Sequence, residues 1–336
     1  ERGLVTVGAV ALCIAAAVAA STLPESFRSS VGHWYGFAGD AVVASRQTRG
    51  GWLAAPVDGT MEETVGRLPA VASTETLRVL QGQNFRGERV AVAALSRGYL
   101  ERALRSATAL SKQGAGRVLD SIDQGAAMAV SENLAAHFDV AVGDELELAT
   151  PTGTLRLEVV AVVADYVSDR GSFVVGRDLF RELWRDHLVN YISIELAPKA
   201  TLDSLGVELA RTAAASSLSL ISTSRLVARI DGAIARAFAD VAAVQLLVIV
   251  ITVAGIIDLL VSSVMERRRH HAIMRAVGSP DATVIGSLVT EASAIALTAG
   301  ILGVAVGAVF AWIWVRFSYP LLVGYVLRLD LDWSAA

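Results

Sequence analysis

The sequence is short of several things that soluble domains usually have, and cysteine is the scarcest of them. Its single cysteine, Cys13, lies in an apolar run, so no internal disulfide framework is possible. Charged residues make up only 18% of the 336 residues, against about 25% in typical globular chains. At 54% hydrophobic residues, the chain is too apolar to be disordered and too apolar for an ordinary soluble domain. This balance indicates a membrane protein.

The sequence also lacks the short motifs that mark common enzymes. It has no G-x-x-x-x-G-K-[ST] phosphate loop, so it cannot itself be a P-loop ATPase, and it has no G-x-S-x-G or H-E-x-x-H motif. His270 and His271 are adjacent, but consecutive helical residues point about 100° apart, which is poor geometry for chelation. A net charge of −4 gives no electrostatic case for nucleic acid. We therefore expect no catalytic residues, no metal site and no nucleic-acid partner.

The apolar residues concentrate in three stretches, which are residues 1–23, 241–265 and 284–315. Each is long enough for a transmembrane helix, which needs about 20 mostly apolar residues. The first stretch could instead be a signal peptide, because it begins next to Arg2 and contains small residues. The sequence after Leu23 continues as an amphipathic helix rather than a cleavage site, which favours a span.

The basic residues set the expected topology. Residues 266–283 lie between the second and third spans and are rich in arginine, so this loop should be cytoplasmic. Residues 24–240 and 316–336 should then lie outside, in a multi-pass protein of the cell (inner or plasma) membrane. The apolar residues near Leu321 lead us to expect a fourth span beyond the C-terminal end. The fold class expected is an α-helical transmembrane bundle with a large extracytoplasmic domain on helical stalks.

Mixed strands and helices predict an α+β fold for that domain. A hairpin is predicted from residues 71–80 and 89–95 around the turn signal of residues 82–87, and another from residues 145–150 and 154–163. Ser131 is expected to cap a helix that ends near Phe138. Residues 25–37 and 223–240 are predicted to be stalk helices, the second running straight into the second span.

Two acidic residues fall within predicted spans. Asp258 is either a proton relay or substrate contact, or a hydrogen-bonded packing residue between helices. No chain of polar partners is visible in the sequence, which favours packing. Glu291 is interpreted as an interfacial residue at a helix start, paired with nearby arginines.

The third span contains three glycines that suit close helix packing, Gly300, Gly303 and Gly307. Gly303 and Gly307 have G-x-x-x-G spacing, which lets helices approach closely in lipid. The spacing fits dimerisation and packing within one chain equally well.

The loop after the second span is more specific than the positive-inside rule requires. Ile273, Met274 and Val277 fall on one face of a helix-length run that Gly278, Ser279 and Pro280 end. A short amphipathic helix on the cytoplasmic surface is suited to docking a soluble partner.

This loop resembles the E-R-R-R-E-I-(A/G)-x-x-R-A-(L/I/V)-G-A-S segment of the FtsX-like, or MacB-type, permeases of ABC transporters. His270 and His271 depart from that pattern, which puts the detailed ion pairing with a partner in question. Residues 130–135, 142–144 and 162–166 are similar to phrases of the family's extracytoplasmic domain. The matching residues are Glu266, Arg267, Arg268, Arg269, Ala272, Arg275, Ala276 and Gly278.

The resemblance implies a four-span permease module, similar to the second half of the long, duplicated members. Such modules work with a separate or fused ATPase, which binds the ATP and Mg, and with a second permease module in a homodimer, a heterodimer or a fused chain. Hydrolysis moves the extracytoplasmic domain, a process called mechanotransmission, and residues 266–278 would contact the ATPase. The cargo could be a lipid, lipoprotein, peptide or antibiotic, and membrane lipids are expected partners.

Two other functions fit the same sequence features. The order of span, domain and span also describes membrane-tethered sensors, although the third span and the lack of a cytoplasmic output domain after Met265 argue against that class. An ABC-driven regulator of cell-wall hydrolases would share the permease machinery and differ only in its outside partner.

Overall fold

A computed structural model describes residues 2–36, 42–46, 55–165, 167–212, 218–266, 281–319, 324–327 and 329. The chain divides into two units, which we describe separately. The sheet unit comprises Ser30–Asp231 and Tyr319–Val326, and the helical unit comprises Glu1–Ser29, Gly232–Ser318 and Leu327–Ala336.

The sheet unit is organised on one mixed β-sheet of ten strands. The strands are β1 (Val42–Ser45), β2 (Val71–Phe85), β3 (Glu88–Leu95), β4 (Ala107–Leu110), β5 (Ala127–Ser131), β6 (Glu145–Thr150), β7 (Gly153–Val163), β8 (Ser172–Gly176), β9 (Tyr191–Leu196) and β10 (Ser219–Ser222). Their order in the sheet is β10-β1-β9-β2-β3-β8-β5-β7-β4, with β6 also pairing β7. Most neighbours are antiparallel, but β3 pairs β8 and β5 pairs β7 in parallel.

The β2–β3 hairpin exists, but its turn is shorter than the sequence suggested. Only Arg86 and Gly87 connect the strands, both at positive φ of 49° and 87°, as a two-residue hairpin turn requires. Gly82 was expected in the turn, but it lies at a bulge between Gln81 and Gln83 with φ of 86°. A glycine accepts this conformation without steric cost, so strand pairing continues past it.

Two other local predictions are confirmed. The β6–β7 hairpin pairs from Thr150 opposite Gly153 to Glu145 opposite Glu158. The Ser131 hydroxyl accepts the Leu134 amide at 3.3 Å and so caps the following helix. The helices of this unit are α2 (Thr60–Gly66), α3 (Arg97–Leu104), α4 (Ala115–Asp123), α5 (Glu132–Phe138), α6 (Arg177–Trp184) and α7 (Leu202–Arg211).

Both faces of the sheet are buried. Alternate residues of a strand point to opposite faces, and on β3 Ala91 and Ala93 join a cluster with α3 and α4, whereas Val92 and Ala94 join one with α5 and α6. A third cluster, under α2 and α7, contains Ile192 of β9. Because Tyr191 belongs to the first cluster, the second and third clusters share a face.

Of the described residues after the last long helix, residues 319 and 324–326 belong to the sheet unit. Gly324 has a φ of 84°, and its Cα lies so close to the Asp169 carbonyl that no side chain fits there. This contact places residue 324 beside the β7–β8 connection.

The helical unit contains the longest helices. They are α1 (Arg2–Gly36), α9 (Ala239–Glu266) and α10 (Asp281–Ile313), and α10 continues into a wider π-helical turn, Trp314–Ser318. The stalk helix α8 (Thr223–Ala237) contributes residues to both units. The prediction that this stalk runs straight into the second span is wrong in detail, because Phe238 separates α8 from α9. The Phe238 amide still donates to the Ile234 carbonyl at 3.0 Å.

Helix α1 passes through Pro24 without ending, although the sequence suggested that the apolar span closes there. Proline removes one backbone donor, and such losses are tolerated in membrane helices where nearby groups compensate. One turn earlier, the hydroxyls of Ser21 and Thr22 both donate to the Val18 carbonyl, at 3.0 and 2.7 Å.

Two described segments are long and apolar enough to cross a membrane. They are Val7–Ser30 and Ala296–Ser318, with mean hydropathies of 2.0 and 2.1. The predicted middle span corresponds to α9, in which a shorter apolar stretch, Leu246–Gly255, is described. A third membrane crossing therefore stays a prediction.

Candidate functional site

The predicted helix-packing glycines lie on α10, and two of them face α1. A Cβ on Gly303 would lie 2.6 Å from Ile14 Cβ and 2.8 Å from the Ala11 carbonyl oxygen. A Cβ on Gly307 would lie 2.8 Å from the Ala15 carbonyl oxygen. These separations leave no room for a side chain, so the glycines let the two helices approach closely.

Gly300 differs from the other two glycines. A Cβ built on it would meet nothing within 4 Å. The contact with α1 instead continues at Ala299, one turn before Gly303, and Ala299 is fully buried against Val10 and Ala11. The sequence alone could not separate Gly300 from its neighbours, because all three glycines sit in the same apolar stretch.

The contacts also fix the relative direction of α1 and α10. Ala299 meets Val10, Gly303 meets Ile14 and Gly307 meets Ala15, so both residue numbers rise together. The helices are therefore parallel.

An apolar groove that the sequence reasoning missed runs beside this contact. Its volume is about 410 Å³. Alanines of α1 line one side of it, and Phe310 of α10 and Trp314 of the π-helical turn line the other, with their stacked ring centroids 6.4 Å apart. One feature of the sequence indicates this groove, because Ala15, Ala16, Ala19 and Ala20 of α1 recur at helical spacing and so share one face of the helix.

Aromatic side chains gather where the helical unit leaves its apolar stretches. Trp312 and Phe317 are 49% and 53% exposed at the end of α10. The rings of Phe27 and Phe238 lie 6.1 Å apart, where α1 and the start of α9 meet. Tryptophan is enriched at membrane–water interfaces, so Trp312 suits such an interface, whereas the three phenylalanines add apolar surface.

Helix α9 shares little of this packing. Apolar side chains along its described length are largely exposed, including Leu246 at 63%, Leu247 at 58% and Ile251 at 58%. Such a surface is suited to lipid or to another apolar helix rather than to water.

The remaining predicted site residues are placed only in part. Asp258 lies within α9 and Glu291 within α10, but their side chains are outside the described part of the chain. Glu266 is the last residue of α9. The other predicted coupling residues, Arg267, Arg268, Arg269, Arg275 and Gly278, all lie outside the described residues.

Comparison with known families covers both units. Residues 4–212, more than half of the chain, match the MacB-like periplasmic core domain. Residues 242–333 match the FtsX-like permease C-terminal segment. An uncharacterized ABC transporter permease protein of Mycobacterium tuberculosis is 26% identical over 188 residues, which is 56% of this chain and 22% of that protein. The chain thus spans about a fifth of that relative's length.

Two solved structures show partial likeness to this chain. The periplasmic region of MacB from Actinobacillus actinomycetemcomitans aligns with a TM-score of 0.42 at 9% identity, covering 57% of this chain and 93% of that one. The extracellular domain of the noncanonic ABC-type transporter YknZ from Gram-positive bacteria aligns with a TM-score of 0.39 at 10% identity, covering 54% and 100%.

Proposed function

Because the chain belongs to the FtsX-like and MacB-like family of ABC transporter permeases, we propose that it is the transmembrane subunit of such a transporter. In this proposal a partner ATPase hydrolyses ATP in the cytoplasm, and the helices carry the resulting motion to the sheet unit outside. The cargo is a lipid, lipoprotein, peptide or antibiotic that is exported or extracted from the membrane.

The observation that carries the proposal is the order of the two family segments along the chain. The periplasmic core match begins inside α1, and the permease match begins inside α9. The basic residues 266–278 then follow α9 within the permease match. This arrangement supports a role for the loop as the docking site of the ATPase, with its arginines pairing with acidic groups of the partner.

Long helices support the mechanical part of the proposal. Helix α1 continues from Arg2 to Gly36, and α8 is followed after one residue by α9. The Phe27–Phe238 ring contact joins the beginning of the first predicted stalk, residues 25–37, to the end of the second, residues 223–240. Continuous helices transmit displacement along their axes because each turn is held by backbone hydrogen bonds.

We assign the remaining partners on physical grounds. The exposed apolar side chains of α9 support contact with membrane lipids or with a second permease module, either a separate subunit or a fused half. ATP and Mg would bind the ATPase, and we expect this chain to need no cofactor of its own. The protein would be a multi-pass protein of the cell (inner or plasma) membrane with its sheet unit outside.

Co-purification tests the proposal directly. The native full-length protein is isolated in mild detergent, and the proteins that accompany it stoichiometrically are identified by mass spectrometry. We expect an ABC ATPase in the eluate. Its loss on reversing Arg268→Glu and Arg275→Glu, with the protein still folded, would assign the contact to residues 266–278.

A matched control reverses two arginines elsewhere. Arg225 and Arg229 of α8 are exposed, so Arg225→Glu with Arg229→Glu makes the same charge change away from the loop and should retain the ATPase. An eluate without any ATPase, with the loop intact, would contradict the proposal and favour the tethered sensor. A cell-wall hydrolase bound to the sheet unit, with the ATPase present and no ATP-dependent release of cargo, would indicate the regulator.

A further inference from the structure

Five charged residues of the sheet unit, all buried or half-buried, lie close together, and we call them the arginine seam. Arg78 lies on β2, Arg177 and Arg181 on α6, Glu62 on α2, and Asp186 on the connection after α6. Arg78 projects to the face shared by the second and third apolar clusters, because Leu77 and Val79 on either side of it join the first cluster. The seam therefore lies where α6 of the second cluster meets α2 of the third.

Two of the three arginines have carboxylate partners. Arg78 donates through Nε and Nη2 to one oxygen of Asp186, at 2.9 and 2.7 Å, and through Nη1 to Asn190 Oδ1 at 2.9 Å. Arg181 donates through Nη2 to Glu62 at 3.2 Å. Asp178 also lies 3.6 Å from Arg181, but its side chain is 91% exposed and faces solvent.

Arg177 has no carboxylate partner among the described residues. It is only 4% exposed, and its Nη2 donates to the backbone carbonyls of His187 and Leu188 at 3.1 and 2.7 Å. Its Nε and Nη1 are buried with no hydrogen-bond acceptor in the described structure. Asp186, Glu62 and the exposed Asp178 all pair with the other two arginines, so the positive charge of Arg177 has no directly bound carboxylate among the described residues.

The surroundings of Arg177 disfavour that charge. Burial, with the neighbouring Arg181 guanidinium, lowers the pKa of Arg177 to about 10. The Arg177 guanidinium also lies over the Phe180 ring, with its Cζ atom 5.9 Å from the ring centroid. A buried cation is stable when an opposite charge or strong acceptor is at hand, and the unused donors mark where such a group would bind.

We propose that the arginine seam binds one small oxyanion, a phosphate or carboxylate group, against the unused donors of Arg177. Guanidinium groups recognise both anions through charge-assisted hydrogen bonds. The anion would reach the seam past Arg181 and Glu62, whose side chains are 34% and 23% exposed and form its rim. This binding site is independent of the ATPase contact proposed above.

Ligand titration of the full-length protein in detergent tests the site. Inorganic phosphate and acetate are each titrated at constant ionic strength, and binding is followed by calorimetry and by the unfolding temperature. We expect saturable binding with one ion per chain, and the tighter of the two ions identifies the chemical group. Arg177→Met should weaken that binding about tenfold to a hundredfold, the range for losing a charged hydrogen bond.

The control is Arg105→Met, which removes the exposed arginine directly after α3, a helix on the opposite face of the sheet, and it should leave binding unchanged. If Arg177→Met does not fold, Arg177→Lys keeps the charge but loses the fork-shaped donor set, and it should also weaken binding. Absence of saturable binding by either ion, or equal affinity in wild type and the Arg177 variant, would overturn the proposal. Both results can be read whether or not an ATPase co-purifies.

Discussion

Replacing Gly303 by alanine should separate α1 from α10, whereas the same change at Gly300 should not. At Gly303 the new methyl group would meet Ile14 Cβ at 2.6 Å and the Ala11 carbonyl at 2.8 Å. A backbone carbonyl cannot rotate away as a side chain can, so the helices must move apart. At Gly300 the methyl group would meet nothing within 4 Å.

The two variants separate steric strain from helix propensity. Overpacking a close contact costs about 1–3 kcal/mol, while alanine is favoured over glycine in a helix by about 1 kcal/mol. Gly300→Ala should therefore stabilise the chain slightly. Gly303→Ala should range from neutral to about 2 kcal/mol less stable, and the difference between the variants reports the strain of about 1–3 kcal/mol.

Disulfide trapping measures the contact itself. Val10 and Ala299 belong to the same buried cluster, so cysteines at both positions, with Cys13→Ser, should cross-link on mild oxidation. Adding Gly303→Ala should lower the yield, and adding Gly300→Ala should leave it unchanged. Equal yields and equal unfolding midpoints for the two glycine variants would refute the close approach of α1 and α10.

Two further predictions concern the sheet unit. Ser131→Ala should lower the free energy of unfolding by about 1–2 kcal/mol. The reason is that the Ser131 hydroxyl accepts hydrogen bonds from two buried backbone amides, those of Leu134 at 3.3 Å and Ser172 at 2.8 Å. Chemical denaturation measures the change, and an unchanged unfolding midpoint would contradict the cap. The hydrogen bond with His137 lowers the pKa of the Glu88 carboxyl. The ionised carboxylate therefore stabilises the fold at pH values above the ordinary glutamate pKa of 4.5. This stabilisation is lost as the pH falls through the lowered pKa. Glu88→Gln should therefore flatten the acid side of the curve of unfolding temperature against pH, and an unaltered curve would exclude the interaction.

Local sequence signals predicted the elements that local forces form. The β6–β7 hairpin follows from alternation on either side of a turn, and the Ser131 cap follows from a hydroxyl placed before a helix. The sequence predicts no helix or strand within residues 97–130, although α3, β4, α4 and most of β5 lie there. The strands β4 and β5 are only four and five residues long, and β5 is buried along its whole length. Neither strand therefore shows the alternation that identifies a half-buried strand.

The sequence by itself determined the membrane class, the long apolar helices and the mixed composition of the ectodomain, because hydrophobicity and helical or strand periodicity are properties of contiguous residues. Only the tertiary structure decided which glycines pack. Gly303 and Gly307 meet α1 and Gly300 does not, since that depends on how two helices far apart in the chain cross. The same holds for the parallel pairs β3–β8 and β5–β7 and for Arg177, which acquires its buried surroundings from separate elements. Contacts between distant segments are set by the packing of the whole unit, and no local pattern encodes them.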